Sequence, residues 1–183
     1  MELSEEMISI VYLFMNCDGK ITEEEKEKFG FFVDELNKNL YSKVDMNEII
    51  HECENIFNTA FDKNDLPNVI EQKIKEIIRY AYFSYEEKIS LLWLLVDISY
   101  ADGNCAESEK KLLRSIFHML ELTDKSILYD LEDTAKAALA IESRREEAKR
   151  LDYETGKKLM EELDEEQKIL VSSVNELIEE GED

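Results

Sequence analysis

An all-α fold is what this sequence predicts, on three observations. Five glycines and one proline in 183 residues leave few of the turns that an all-β chain needs. No strand-like alternation recurs at regular spacing, and Glu, Lys and Leu are abundant. Several Ser, Thr or Asp residues also stand three positions before Glu or Gln, the reciprocal capping box that opens a helix.

Taken in order, the first helix is expected over 4–16. Thr22 with Glu25 opens a second over 23–38, and Asp45 with Glu48 a third over 46–61. Pro67 suits the first turn of a helix over 67–82. Ser84 with Glu87 opens one over 85–101, and a sixth follows over 106–121, with Gly19 and Gly103 in turns. From Thr123 onward the chain is helix-rich and highly charged. A break is expected near Asp152 to Gly156, and Asp164 with Gln167 is read as opening a last helix over 165–180. Ile169, Leu170, Val174, Leu177 and Ile178 give that helix one apolar side, which predicts docking on the core; an exposed arm that binds a partner is the alternative. Glu182 and Asp183 read as solvated tail. Residues 1–130 are therefore taken as one helical domain and 131–183 as a helical C-terminal extension packed on it.

Charge narrows the function. Twenty-two Lys and Arg against forty-four Asp and Glu give a net charge of −22, which repels nucleic-acid backbones and anionic lipid head groups. A cation, a basic partner or plain solubility is favoured instead. Cys17, Cys53 and Cys105 are odd in number and form no CxxC pair, which fits a reducing cytoplasm. Glu2, Glu5 and Glu6 stand where a signal peptide would be basic. The most apolar run, Ile89 to Ile98, falls well short of the ~20 residues that span a bilayer and reads as a buried helix.

One feature is duplicated. Setting residues 8–37 over 92–121 aligns two units of apolar helix, short loop and amphipathic helix. The loops are Asp18-Gly19-Lys20-Ile21-Thr22-Glu23-Glu24-Glu25 and Asp102-Gly103-Asn104-Cys105-Ala106-Glu107-Ser108-Glu109. Against the calcium loop of an EF-hand, each Asp falls at position 5, each Gly at 6 and each Glu at 12, but Phe14 and Ile98 occupy position 1. These are half-loops. One Asp and one bidentate Glu supply about three of the six to eight oxygens that calcium takes, so carbonyls, water or the other loop must complete a site. The competing reading is structural: Asp-Gly makes a good turn between helices, and Glu25 is the capping partner of Thr22. Ala106 has no hydroxyl, so that reading is weaker for Glu109. Glu23, Glu24 and Glu107 either enlarge a cation site or favour the helix N-terminus through its dipole.

Both half-loops follow an apolar helix, and the chain in this respect resembles the TerB family of tellurite-resistance proteins and the related N-terminal domain of DjlA-type co-chaperones. Trp93-Leu94-Leu95-Val96-Asp97-Ile98-Ser99-Tyr100-Ala101-Asp102-Gly103 is similar to that family's second motif, and Cys17-Asp18-Gly19-Lys20-Ile21-Thr22-Glu23-Glu24-Glu25 to its first. The resemblance covers about 5–130. It implies an all-helical fold with pseudo-twofold halves, and a metal-associated role for Asp18, Glu25, Asp102 and Glu109. It also implies a part in responses to tellurite, other stresses and phage, through multi-protein assemblies at the membrane's inner face. Cys105 and Ala106 depart from the pattern, which sets the second loop apart from the first.

Other candidates read as structural. Asp97, inside an apolar run, needs a partner, expected to be a neighbouring helix end, with an outer-shell role for the second loop as the alternative. His51 and Cys53 are two apart on a helix and point to different faces, and His118 reads as a helix-face residue. Tyr80, Tyr82, Phe83 and Tyr85 are expected to pack between helices, with a partner-binding patch as the alternative. No GxSxG, Gly-rich phosphate loop or HExxH occurs, and Glu48 with His51 is a single copy of the Glu-x-x-His pair that a helical di-metal enzyme repeats. The function expected is non-enzymatic: a stress- or defence-associated interaction module that binds a divalent cation, calcium, at Asp18, Glu25, Asp102 and Glu109. A structural adaptor that engages a protein partner through its C-terminal helices, without metal, is the alternative.

Overall fold

The computed structural model describes residues 4–39, 45–59 and 66–179, and among them it contains eight helices and no strand. The all-α expectation holds. They are α1 (Glu5–Met15), α2 (Glu23–Asn39), α3 (Met46–Thr59), α4 (Leu66–Ala81), α5 (Tyr85–Ser99), α6 (Glu107–Met119), α7 (Ser126–Ala148) and α8 (Tyr153–Glu179). The expected ends of the third and last helices, and the acidic residues Glu182 and Asp183, lie outside the described residues.

Most helix starts follow from local capping. Ser84 Oγ accepts from Glu87 N at 3.2 Å while Glu87 Oε2 accepts from Ser84 N at 2.7 Å, the full reciprocal box at α5. Asp45 Oδ1 accepts from Asn47 N at 2.8 Å at the head of α3. Ser4 Oγ accepts from Met7 N at 3.3 Å and opens α1.

Two helices are central because their sequences are apolar on nearly every side. In α1 every residue from Ile10 to Met15 is buried, and in α5 Leu94, Leu95 and Val96 are buried in succession. They pack on each other; α2, α3, α4 and α6 surround α1, while α2, α6, α7 and α8 also contact α5. Each of these central helices runs directly into one Asp-Gly loop, so the core places the loops.

The C-terminal region is a helical hairpin. The chain turns at 149–152, where Asp152 Oδ1 accepts from Thr155 N at 3.2 Å. Asp164 was expected to open the last helix, and this is corrected: α8 passes through 164–167 without interruption. Asp152 already provides the start, and Asp164 instead reaches across to Arg145 Nη2 at 2.7 Å, beside Arg144 Nη1 to Glu166 Oε2 at 2.6 Å. Val174 and Ile178 join the main core, whereas Ile169 is 65% exposed. Residue 130 lies inside α7. Among the described residues no helix is long and apolar enough to cross a membrane.

Candidate functional site

The two loops have the same hydrogen-bonding plan. Asp18 Oδ1 accepts from Lys20 N at 2.8 Å, and Asp102 Oδ1 from Asn104 N at 2.9 Å. Gly19 N donates to Asn16 O at 3.0 Å, and Gly103 N to Tyr100 O at 3.0 Å. Both glycines take left-handed backbone, with φ of +79° and +87°, where a side chain would be strained. The next helix then begins on a glutamate: Glu25 Oε2 accepts from Thr22 N at 2.6 Å and Glu109 Oε2 from Ala106 N at 2.5 Å.

The second of these bonds corrects the reading of Glu109. A missing hydroxyl at Ala106 weakens only the half of the capping box in which a side chain accepts from N3. The other half, carboxylate to backbone N–H, needs no hydroxyl and is present in both loops. In the first loop Thr22 Oγ1 supplies the missing half, accepting from Glu25 N at 3.1 Å.

Tertiary packing then does what neither loop does alone. Glu25 and Glu109 are each only 7% exposed, which is rare for a carboxylate, and they lie within electrostatic reach of each other. Burial is the main cause that pushes the Glu109 carboxyl up to about 7; the Ala106 N–H opposes it, and the charges of Glu25, Asp18 and Asp102 add to it. Glu25 is raised as well, first by burial and then by Asp18 and Asp102, against the two hydrogen bonds to Thr22. Asp18 and Asp102 themselves are exposed. The four residues singled out in the sequence are thus brought into one acidic region, with two carboxylates buried and two at the surface.

The donor set is all carboxylate oxygen, the hard kind that suits calcium or magnesium. Its arrangement is not a closed cage: among the described residues no group of three or more His, Cys, Asp and Glu is placed to hold a metal ion. One oxygen of each carboxylate is committed to a backbone N–H. Cys17 lies beside this region, its thiol pushed up to about 12 by burial and then by Glu109 and Asp18. Cys105 is likewise pushed up to about 11, burial being the main cause, so both thiols are held protonated.

The C-terminal hairpin flanks the second loop. An open groove of ≈840 Å³ is lined by Glu24, Asp102 and Gly103 together with residues of α7 and α8, including Leu139, Arg145 and Met160. Lys136 of α7 stands 5.8 Å over the ring of Tyr100, just before the loop. Nothing in the spacing of residues 131–183 announces this neighbourhood, since it depends on where the hairpin folds back.

Three other candidates are settled by their positions. Asp97 pairs with neither a helix end nor the second loop: Lys28 Nζ lies 2.6 Å from its Oδ1 and 2.9 Å from its carbonyl, joining α2 to α5. A lysine on an amphipathic helix elsewhere in the chain carries no sequence signal of that pairing. His51 is exposed while Cys53 is buried, so they face apart as expected, and His118 is exposed. The aromatic group splits: Phe83 is buried, but Tyr80 and Tyr82 are 74% and 90% exposed, against the expectation that all four pack between helices. Tyr82 has φ of +49°, and that turn throws its ring outward.

A helical domain whose two central helices each end in an Asp-Gly loop closed by a capping glutamate is a paired helix-loop-helix module. The chain belongs to the TerB family: the profile described as tellurite resistance protein TerB matches residues 4–128. Neither the curated proteins nor the solved structures yield a match. The matched span takes in both loops and ends just inside α7, so most of the hairpin lies beyond it.

Proposed function

We propose that this chain is a non-enzymatic, stress- or defence-associated interaction module whose paired acidic loops take up a divalent cation, calcium, at Asp18, Glu25, Asp102 and Glu109. The observation that supports this reading is the convergence of the two buried glutamates, one from each loop, in a field made more negative by the two aspartates. Such a pair repels itself when ionised, and either a proton or a cation relieves the repulsion. Because each glutamate also caps a helix, neutralising the pair acts on the angles at which α2 and α6 leave their loops. A local charge change is in this way coupled to the outer surface that a protein partner meets. The same proposal places the protein in the cytoplasm, in association with a membrane-bound complex through its partner.

Since the carboxylates are not gathered into a cage, water must complete the coordination, and the expected affinity is that of an open site, ~10⁻⁴ M. The test is a calorimetric titration of metal-stripped protein with calcium, with magnesium and zinc as controls, while the melting temperature is followed. Saturable calcium binding that raises the melting temperature and is lost in the Glu25→Gln, Glu109→Gln double variant supports the reading. Binding should also tighten from pH 6 to pH 8, because the ion must displace the proton on Glu109. Weak, non-saturating heats common to all three ions would overturn it.

A structural adaptor without metal is the second reading. It is favoured by the fact that all four carboxylates already accept a backbone N–H and so have a role as turn and helix caps. It leaves the partner surface intact when calcium is removed, so partner capture that is indifferent to chelator distinguishes it.

A further inference from the structure

Away from the acidic loops, α4, the start of α5 and the end of α6 line a half-open pocket of ≈430 Å³ with the opposite charge, its rim formed by the exposed side chains of Lys75, Arg79, Tyr82 and Glu121. Lys75 and Arg79, one turn apart on α4, and Lys88 of α5 line it together with a single carboxylate, Glu121. The surplus of cations is notable in a chain with twice as many acids as bases. Lys75, Arg79 and Lys88 pair with no described residue. The nearby carboxylates are engaged otherwise: Glu76 with Lys73 at 3.2 Å, Glu71 with the Ser115 hydroxyl, and Glu87 with the backbone of Ser84 at 2.7 Å.

The rest of the lining is apolar, from Ile78, Phe83, Met119 and Leu120. A concave, mostly apolar site with a few convergent polar groups is the usual form of a small-molecule pocket, and this volume lies within its ordinary range. The rim is strained as well. Among the described residues only two non-glycines have positive φ, Tyr82 at +49° and Glu121 at +59°, and both border this cavity. Each follows the C-terminal end of a helix, Tyr82 after α4 and Glu121 after α6, where a left-handed residue turns the chain away from the helix axis. The turn at Tyr82 sets its ring out at the cavity mouth, where an aromatic group can stack against it.

We propose that this cavity binds a small organic phosphate, a phosphate monoester carried on an apolar or aromatic group. Three cations against one carboxylate leave two positive charges, which match the ≈ −1.5 to −2 charge of a phosphate monoester near neutral pH. Arg79 offers the planar fork suited to phosphate oxygens, with Lys75 and Lys88 as point charges beside it. The apolar portion fills the floor of Phe83, Met119 and Leu120. A freely diffusing ester and a lipid head group share this phosphate chemistry, and the vesicle comparison separates the two sources.

The experiment titrates phenyl phosphate into the full chain and follows backbone amide NMR shifts with calorimetry. Inorganic phosphate, phenol and phosphatidylcholine vesicles containing phosphatidic acid serve as comparisons. Saturable shifts confined to residues 75–88 and 119–121 are expected, with phenyl phosphate tighter than either phosphate or phenol alone. The Arg79→Ala, Lys88→Ala double variant should weaken binding tenfold or more, and Glu121→Gln should tighten it severalfold. Arg79→Gln keeps the size of the side chain and should weaken binding too, at unchanged melting temperature. Shifts that do not saturate, that fall elsewhere, or that are indifferent to these substitutions overturn the proposal. Vesicle binding without binding of free phenyl phosphate overturns it as well.

Discussion

Glu109 is where residue-scale chemistry is most exposed to test. Its carboxyl binds a proton more tightly in the folded chain, up to about 7, than in the unfolded chain, where an ordinary glutamate titrates near ~4.3. Between those values the folded state holds a proton that the unfolded state has released. The stability that this one carboxyl contributes is therefore full below about pH 4, falls as pH rises through that window, and levels off above about 7. Glu109→Gln keeps an acceptor for the Ala106 N–H but cannot ionise. We expect it to flatten the pH dependence and to gain about 2 kcal/mol over the parent at pH 8, by urea unfolding at several pH values. A different residue-scale cost sits in the core, where the Ser90 hydroxyl is buried with no hydrogen-bond partner among the described residues. Ser90→Ala removes an unsatisfied group at little change in volume, and unfolding should show a gain of about 1 kcal/mol. Neither effect is legible in sequence. Capping glutamates are common, and that this one is buried opposite its counterpart depends on how the two central helices meet.

At the scale of elements, the glycines separate backbone conformation from packing. At Gly19 nothing lies within 4 Å of where a Cβ would stand, so Gly19→Ala meets only the left-handed backbone, a cost of about 1 kcal/mol. Gly156 is the reverse case. It lies in the first turn of α8, where alanine would gain up to ~1 kcal/mol from helix propensity. Its Cβ, however, would stand 2.7 Å from the carbonyl oxygen of Ala148. Backbone cannot retreat as a flexible side-chain end can, so steric overlap should win, with a net loss of about 1–2 kcal/mol and earlier proteolysis within the hairpin. Helix starts were readable wherever a cap is local: Ser84 with Glu87 and Thr22 with Glu25 each need only their own four residues. Asp164 with Gln167 has the same spacing but does not open a helix, because Asp152 had already started α8 and Arg145 claims Asp164. A spacing rule cannot see a cap that is overridden across a hairpin.

For the whole molecule, one core joins what the sequence divides. Leu131, Ala135, Val174 and Ile178 belong to the same buried cluster as Phe14 and Leu95. A chain cut after residue 130 would end within α7 and uncover that cluster, so we expect it to lose cooperative thermal unfolding and to bind a hydrophobic dye. The sequence by itself determined the helical class, the order of the first six helices, the two Asp-Gly turns and the acidic residues that close them. Each of these depends on interactions within a few residues: periodicity, caps and left-handed turns. Only the tertiary structure decided that Glu25 and Glu109 share one acidic region, that Lys28 answers Asp97, and that cations from α4 and α5 with no ion-pair partner among the described residues line one pocket in a strongly acidic chain. Those arrangements join residues far apart in sequence, and they are fixed by how buried helices pack rather than by any local preference.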